Sequence, residues 1–241
     1  SFALIAYVTA YLRAHHPAAF SCALLNAQPM GFYSPATIVE DAKRRGVEVR
    51  TLDLSRSAWD CTLERDVEGQ LCMRMGLRYI KGLGEREKAL LERAAMDGPF
   101  ADLDDLVRRS RLNRKALSAL AQSGSLSCFG VGRRNAMWEL RGAFARVADS
   151  LPLSGEMTPE HQQPHFGRLT RNEAILWDYR ASLHSARGHP LSCIRAQLDT
   201  QGLPDAAEIN AAPNRKRYRY VGMVICRQRP QTASGVTFYT L

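Results

Sequence analysis

Two short glycine turns carry the residue types best suited to chemistry in this chain, and that chemistry is anion binding. Lys81-Gly82-Leu83-Gly84 lies between an apolar approach (Leu77, Tyr79, Ile80) and a helical segment with Leu90 and Leu91. Gly130-Val131-Gly132-Arg133-Arg134-Asn135-Ala136 opens a second segment, holding Met137, Trp138 and Leu140. Glycine lets the backbone turn tightly enough for amides at a helix start to face a phosphate. Arg133 and Arg134 would add charge-assisted contacts. The second turn has the Gly-hydrophobic-Gly-x-x-x-Ala spacing of a helix-hairpin-helix. The first departs from it: Ala89 comes one residue late, and Glu85 and Glu87 oppose a phosphate. One such turn alone reads better as a plain glycine stop before a helix; two within one basic block favour DNA. Asn113-Arg114-Lys115, ahead of another apolar helix, is a further basic candidate that an exposed helix face explains almost as well.

A second basic set lies in the tail. Arg215, Lys216, Arg217 and Arg219 lead into a β-rich stretch, Tyr218 to Cys226, and Arg227 and Arg229 follow it. Tyr218, Tyr220, Phe238 and Tyr239 are interleaved. An OB-fold grips single strands with a positive groove and aromatic platforms, each stacked base contributing ~1–3 kcal/mol. About half of these aromatics would face a barrel core instead, and only about two of its five strands fit into the tail. Carboxylates give less. Asp102-Leu103-Asp104 resembles the aspartate pair that holds metal ions in nucleotidyl transfer, but it follows Gly98-Pro99-Phe100 and leads into Leu106-Val107, which predicts a helix start. No Ser/His/Asp or Cys/His set, P-loop or GxGxxG is present, so no catalytic residue and no metal ligand is assigned.

Charge supports the same two places. The net charge is +9 over 241 residues. Residues 77–147 carry 14 Lys and Arg against 8 Asp and Glu, and residues 213–241 carry 6 against none. Residues 1–76 balance at 8 each, and residues 148–212 are acidic, 5 against 8. An excess gathered in this way points to a polyanion held at two sites. The longest apolar run, Phe2 to Leu12, falls far short of the ~20 residues of a membrane span and lacks a signal-peptide pattern. The six cysteines form no CxxC pair, which predicts reduced, mostly buried thiols. His161 and His165 sit among prolines and glutamines, where no helix aligns them for a metal.

The elements that must position these residues follow from periodicity. Apolar spacing predicts a helix up to His16-Pro17, then another over Ala18 to Asn26. Ser34-Pro35 reads as an N-cap with a first-turn proline, and Gly46 as that helix's stop. Val47 to Arg50 alternates as a strand, and residues 59–64 and 70–77 flank Asp66 to Gly69 as a hairpin. Short helices separated by glycine turns run from Ile80 to Phe144. Residues 148–167 read as a linker, and helices follow around Asn172 to Leu183 and after Pro190. Ser1 stands inside an apolar repeat and Leu241 inside a strand, which predicts a piece of a larger protein.

Longer words carry a resemblance. SFALIAYVTAYLRAHHPAAF, ALLNAQPMGFYSPATIVEDAKRRGVEVR and GLRYIKGLGEREKALLERA resemble the alpha subunit of bacterial DNA polymerase III, as do GPFADLDDL, LNRKALSALAQSGSLSCFG and GHPL. The tail VGMVICRQRPQTASGVTFYTL is closest to the error-prone, damage-inducible branch. The resemblance implies a mainly helical α+β, multidomain fragment. Residues 1–76 would end the fingers, 77–147 form tandem helix-hairpin-helix units on duplex DNA, 148–212 connect, and 213–241 begin an OB-fold. It further implies a cytoplasmic bacterial enzyme of translesion synthesis and DNA repair that transfers nucleotides using Mg²⁺ held upstream, with this fragment inactive alone. Family members bind the sliding clamp through a Gln-Leu-x-Leu-Phe-like peptide; Leu151 and Leu153 stand in that region, with Ser150 and Ser154 in place of the flanking Gln and Phe. Translesion accessory proteins would be further partners. Two other readings stay open: a non-enzymatic DNA-binding repair adaptor and a high-fidelity replicative alpha subunit.

Overall fold

The structure is a computed structural model and describes residues 2–31, 33–148, 166–224, 226–230 and 235–241, with the side chains of 145–148 left aside. It divides into two units, residues 1–187 and 188–241. In the first unit, α1 (Phe2–His15) and α2 (Pro17–Asn26) meet at the proline that the sequence places as a break. Helix α2 buries Ala18, Ser21, Cys22 and Leu25, an i, i+3, i+4, i+7 stripe. Helix α3 (Pro35–Arg44) starts as expected: the Ser34 Oγ accepts from the Thr37 amide at 3.3 Å. It ends at Gly46, whose φ of +79° a side chain would resist.

A three-stranded sheet follows, ordered β1-β3-β2, from β1 (Val49–Arg50), β2 (Thr62–Arg65) and β3 (Leu71–Arg74). Strands β2 and β3 form the hairpin read from Asp66 to Gly69, with Leu63 opposite Met73. Strand β1 runs parallel to β3, pairing Val49 with Met73. That pairing spans a long connection and leaves no local trace in sequence. On the sheet, Glu64 accepts from Arg74 and from Arg50 at 2.6 Å, and these guanidiniums hold its carboxyl down to about 2. Gly76 then lets the chain pass directly over residues 59–61, where a Cβ would collide with backbone.

A helical layer is continuous with the sheet. Its members are α4 (Glu85–Ala95), α5 (Leu103–Ser110), α6 (Arg114–Ser123) and α7 (Arg133–Ala148), with a 3₁₀ turn at Leu77–Tyr79 and another at Ser125–Phe129. Leu106, Leu117, Leu120 and Leu126 are fully buried, each contributing roughly 1.5–3 kcal/mol by burial. One core runs from Ala18 in α2 to Ala143 in α7, so the boundary expected at 76/77 does not divide the unit. The Leu54 amide donates to the Ser125 carbonyl at 2.8 Å, tying the segment after β1 to the 3₁₀ turn between α6 and α7. Helix α8 (Arg171–Ser182) belongs to this unit too, not to a separate connector.

The second unit holds a 3₁₀ turn (Pro190–Cys193), α9 (Arg195–Thr200), α10 (Ala206–Ala211) and an antiparallel pair, β4 (Cys226–Gln228) with β5 (Phe238–Thr240). The strand expected over Tyr218 to Cys226 is displaced: residues 218–224 form no regular strand among the described residues, and β4 begins at Cys226. The fold is therefore mostly helical with small sheets, in line with the mainly helical α+β expectation. Cys22, Cys61 and Cys72 are buried, whereas Cys128 is exposed and Cys193 and Cys226 are intermediate; all six are free thiols. Among the described residues no helix is long and apolar enough to cross a membrane.

Candidate nucleic-acid interface

At the first glycine turn, Gly82 takes a φ of +94°, and Lys81 stands exposed beside it. The turn packs against the start of α6: a Cβ on Gly82 would lie 3.9 Å from both the Lys115 Cε and the Ala119 Cβ. Lys81, Arg114, Lys115, Ser118, Ala119 and Gln122 line a shallow depression of about 550 Å³. None of these three cations has an ion-pair partner among the described residues, so they repel one another and attract an anion. Asn113 plays another part than the one expected. Its Oδ1 accepts from the Ala116 amide at 2.9 Å and caps α6.

The backbone half of this turn is already occupied. The Gly84 amide, at the start of α4, donates to the Glu87 Oε2 at 3.0 Å. A carboxylate of the same helix thus fills the seat that a phosphate would take. The expectation that Gly84 contacts DNA is corrected for that reason: Glu87 holds its amide.

At the second turn the roles reverse. Gly124 and Gly130 adopt φ of +81° and +73° around the 3₁₀ segment, and the Gly132 carbonyl accepts from the Ala136 amide at 2.8 Å, opening α7. The first-turn amides of α7 cannot be reached by carbonyls of their own helix. Arg133, however, turns inward. It is 8 % exposed and pairs with the buried Asp178 of α8, with a further bond from its Nη1 to the Ala174 carbonyl at 3.3 Å. Burial pulls its pKa below the usual guanidinium value, against the pull of Asp178. Arg134 pairs with the Glu173 Oε1 at 2.7 Å, both half-exposed. The expectation that Arg133 reaches DNA is corrected: desolvation and the carboxylate hold it in the core. Arg134 is partly neutralised where it stands.

In the second unit, Arg215, Lys216, Arg217, Arg219, Arg227 and Arg229 are all exposed. Tyr218, Phe238 and Tyr239 are about half exposed, and the Arg227 guanidinium lies 5.9 Å from the Tyr239 ring centre. The expected mixture of cations and aromatic faces is therefore present on this unit's surface. Ser118 and Gln122 were not foreseen at the depression. Their i+4 and i+8 spacing from Arg114 was the available signal, since it puts all three on one face of α6.

Comparison with known proteins sharpens this picture. Residues 46–136 match the family described as a helix-hairpin-helix motif, a span that includes the small sheet and ends as α7 begins. The whole chain aligns with error-prone DNA polymerases: 40% identity with that of Methylococcus capsulatus, 41% with that of Alkalilimnicola ehrlichii and 40% with that of Pseudomonas aeruginosa. Along its whole length the chain is similar to error-prone DNA polymerases. It spans about a quarter of their length, 24% of the first and 23% of the other two.

Other features of the chain bear on chemistry. Asp102 caps α5, its carboxylate accepting from the Asp105 amide at 2.8 Å, and Asp104 lies in the first turn, as the helix-start reading expects. Arg108 and Arg109 bind Asp105, which with the Ala101 amide, its strongest partner, sits at about 2. Leu151 and Leu153, the candidate clamp contacts, lie outside the described residues, as do His161 and His165.

Proposed function

We propose that this chain is the DNA-gripping portion of an error-prone DNA polymerase. It holds duplex at the helix-hairpin-helix region and single-stranded template at the tail, which we read as the start of an OB-fold. The observation that carries the reading is the convergence of Lys81, Arg114 and Lys115, from two separate elements, on one depression with no acidic partner among the described residues. The exposed tail cations and aromatics support the single-strand half. The intact enzyme would carry out template-directed nucleotidyl transfer past lesions in the bacterial cytoplasm, with the sliding clamp and accessory proteins as partners.

Mg²⁺ is expected for such transfer, but the residues here do not fit it. Among the described residues no three His, Cys, Asp or Glu side chains come together to hold a metal ion. Fluorescence anisotropy with single-stranded, duplex and primer–template oligonucleotides across a salt series tests the reading. Each neutralised duplex phosphate contributes ~0.9 to the log–log slope, and single-strand contacts ~0.7. Binding that ignores salt would refute it. Nucleotide incorporation by the purified chain would refute the assignment as a grip separate from the catalytic part.

A further inference from the structure

Helix α8 touches both glycine turns along one stripe. Ala174, Asp178 and Ala181 follow i, i+4, i+7 spacing and share a face. The Ala174 carbonyl and the Asp178 carboxylate bind Arg133, the residue that closes the second turn. The Ala181 carbonyl accepts from the Lys81 amide at 2.8 Å, at the opening of the first. Between Asp178 and Ala181 the helix rises only ~4.5 Å.

Asp178 is the hub of this arrangement. Besides Arg133, its carboxylate accepts from the Ser185 Oγ at 2.6 Å and from the Arg187 Nη1 at 2.8 Å. Arg133 in turn lies over Gly124, where a Cβ would come within 2.5 Å of its Nε, so the pair also fixes the end of α6. A buried ion pair is weak evidence of stability, because well-packed apolar side chains often do as well in its place. What it supplies is direction: charge-assisted bonds hold one geometry where apolar contacts would tolerate several.

We propose that Asp178 is a positioning residue that holds the second glycine turn at a fixed distance from the first, so that both engage the duplex backbone together. This rests on the reading of the chain as a DNA grip. Asp178 itself touches no DNA.

The test uses the full chain, duplex anisotropy across a salt series and thermal melting, on three variants. Lys81→Ala/Arg114→Ala tests the grip itself: the salt slope should fall by about 1.8, two phosphates' worth, with melting unchanged. Arg133→Met/Asp178→Leu replaces the pair by apolar bulk. It should melt cooperatively, yet lose about 0.9 or more of slope and bind at least several-fold more weakly at fixed salt. Asp178→Asn keeps the shape of the side chain without its charge and should show the same slope loss, scaled to its folded fraction. If the apolar pair folds and binds with the wild-type slope, Asp178 is structural only and the proposal fails while the DNA reading stands. If Asp178→Asn steepens the slope, α8 masks Arg133 rather than positioning its turn, which also overturns it. If wild type shows no salt-dependent binding, or Lys81→Ala/Arg114→Ala changes nothing, the DNA reading itself is at fault.

Discussion

The two glycine turns have similar sequences and opposite endowments. Around Gly82 the backbone seat is taken by Glu87, while Lys81, Arg114 and Lys115 are left exposed, with no ion-pair partner among the described residues. Around Gly130 the first amides of α7 lie beyond the reach of that helix's own carbonyls, while Arg133 and Arg134 are bound by Asp178 and Glu173. One turn therefore offers mobile point charges and the other offers fixed dipoles. A glycine motif specifies backbone shape. Whether the adjacent cations face solvent is decided by elements tens of residues away, here α8 for one turn and α6 for the other.

The largest effect should come from cutting the second turn's tie. Asp178→Ala leaves Arg133 buried without its carboxylate, and loss of one partner of a buried pair costs about 3–5 kcal/mol. Denaturant unfolding measures this directly. A loss under about 1 kcal/mol would mean that Arg133 escapes to solvent, and the contrast between the turns would vanish. Next come the glycines themselves. Gly124→Ala and Gly82→Ala both demand a residue at positive φ, at roughly 1–2 kcal/mol each. Only the first also drives a methyl into the Arg133 guanidinium; at Gly82 the nearest atoms are 3.9 Å away. Gly124→Ala should therefore be the more destabilising of the two, and equal costs would argue against the inward Arg133.

These differences mark how far the sequence could be read. Local signals held: the Ser34-Pro35 start, the Asp66–Gly69 hairpin and the Asp102 cap are each produced by neighbours within four residues. Signals that need distant partners did not. The parallel pairing of Val49 with Met73 joins segments 24 residues apart. Arg133 reads as a phosphate contact until Asp178, 45 residues on, is folded beside it. Residues 218–224 carry β-branched and aromatic residues without a partner strand among the described residues, and propensity alone does not make a strand. The depression was half legible: the cations were read, but the polar residues Ser118 and Gln122 were not.

A smaller effect distinguishes the same region by pH. His184 is buried beside the Tyr79 ring, its Nδ1 donating to the Ser182 carbonyl at 2.8 Å. Burial pushes its pKa below the ordinary 6.5, and Lys43 adds to that, while the Ser182 bond, Asp178 and Glu40 oppose it. The folded state then binds fewer protons than the unfolded one just below 6.5. Stability is full above that pH and falls as pH drops through it, by up to about 1.4 kcal/mol per unit. Carboxylates held low, such as Glu64 at about 2, lose their contributions only below about pH 4. Melting should therefore soften between pH 7 and 5 in wild type and change less in His184→Gln. Equal slopes would move the sensitivity elsewhere.

The finest discrimination lies between two surface cations. Lys81→Ala removes an exposed charge at the depression, one with no ion-pair partner among the described residues, so stability should hold and the duplex salt slope should fall by about 0.9. Arg134→Ala removes a cation already bonded to Glu173, so the slope should fall by less, and a small loss of stability should appear because α8 loses a tie to α7. The released Glu173 would also leave an uncompensated negative charge beside the second turn. Binding at low salt should then weaken through repulsion, an effect that Arg134→Ala/Glu173→Gln reverses. Equal slope losses from Lys81→Ala and Arg134→Ala would mean that DNA displaces Glu173 on binding, and that the two turns differ only while the protein is free.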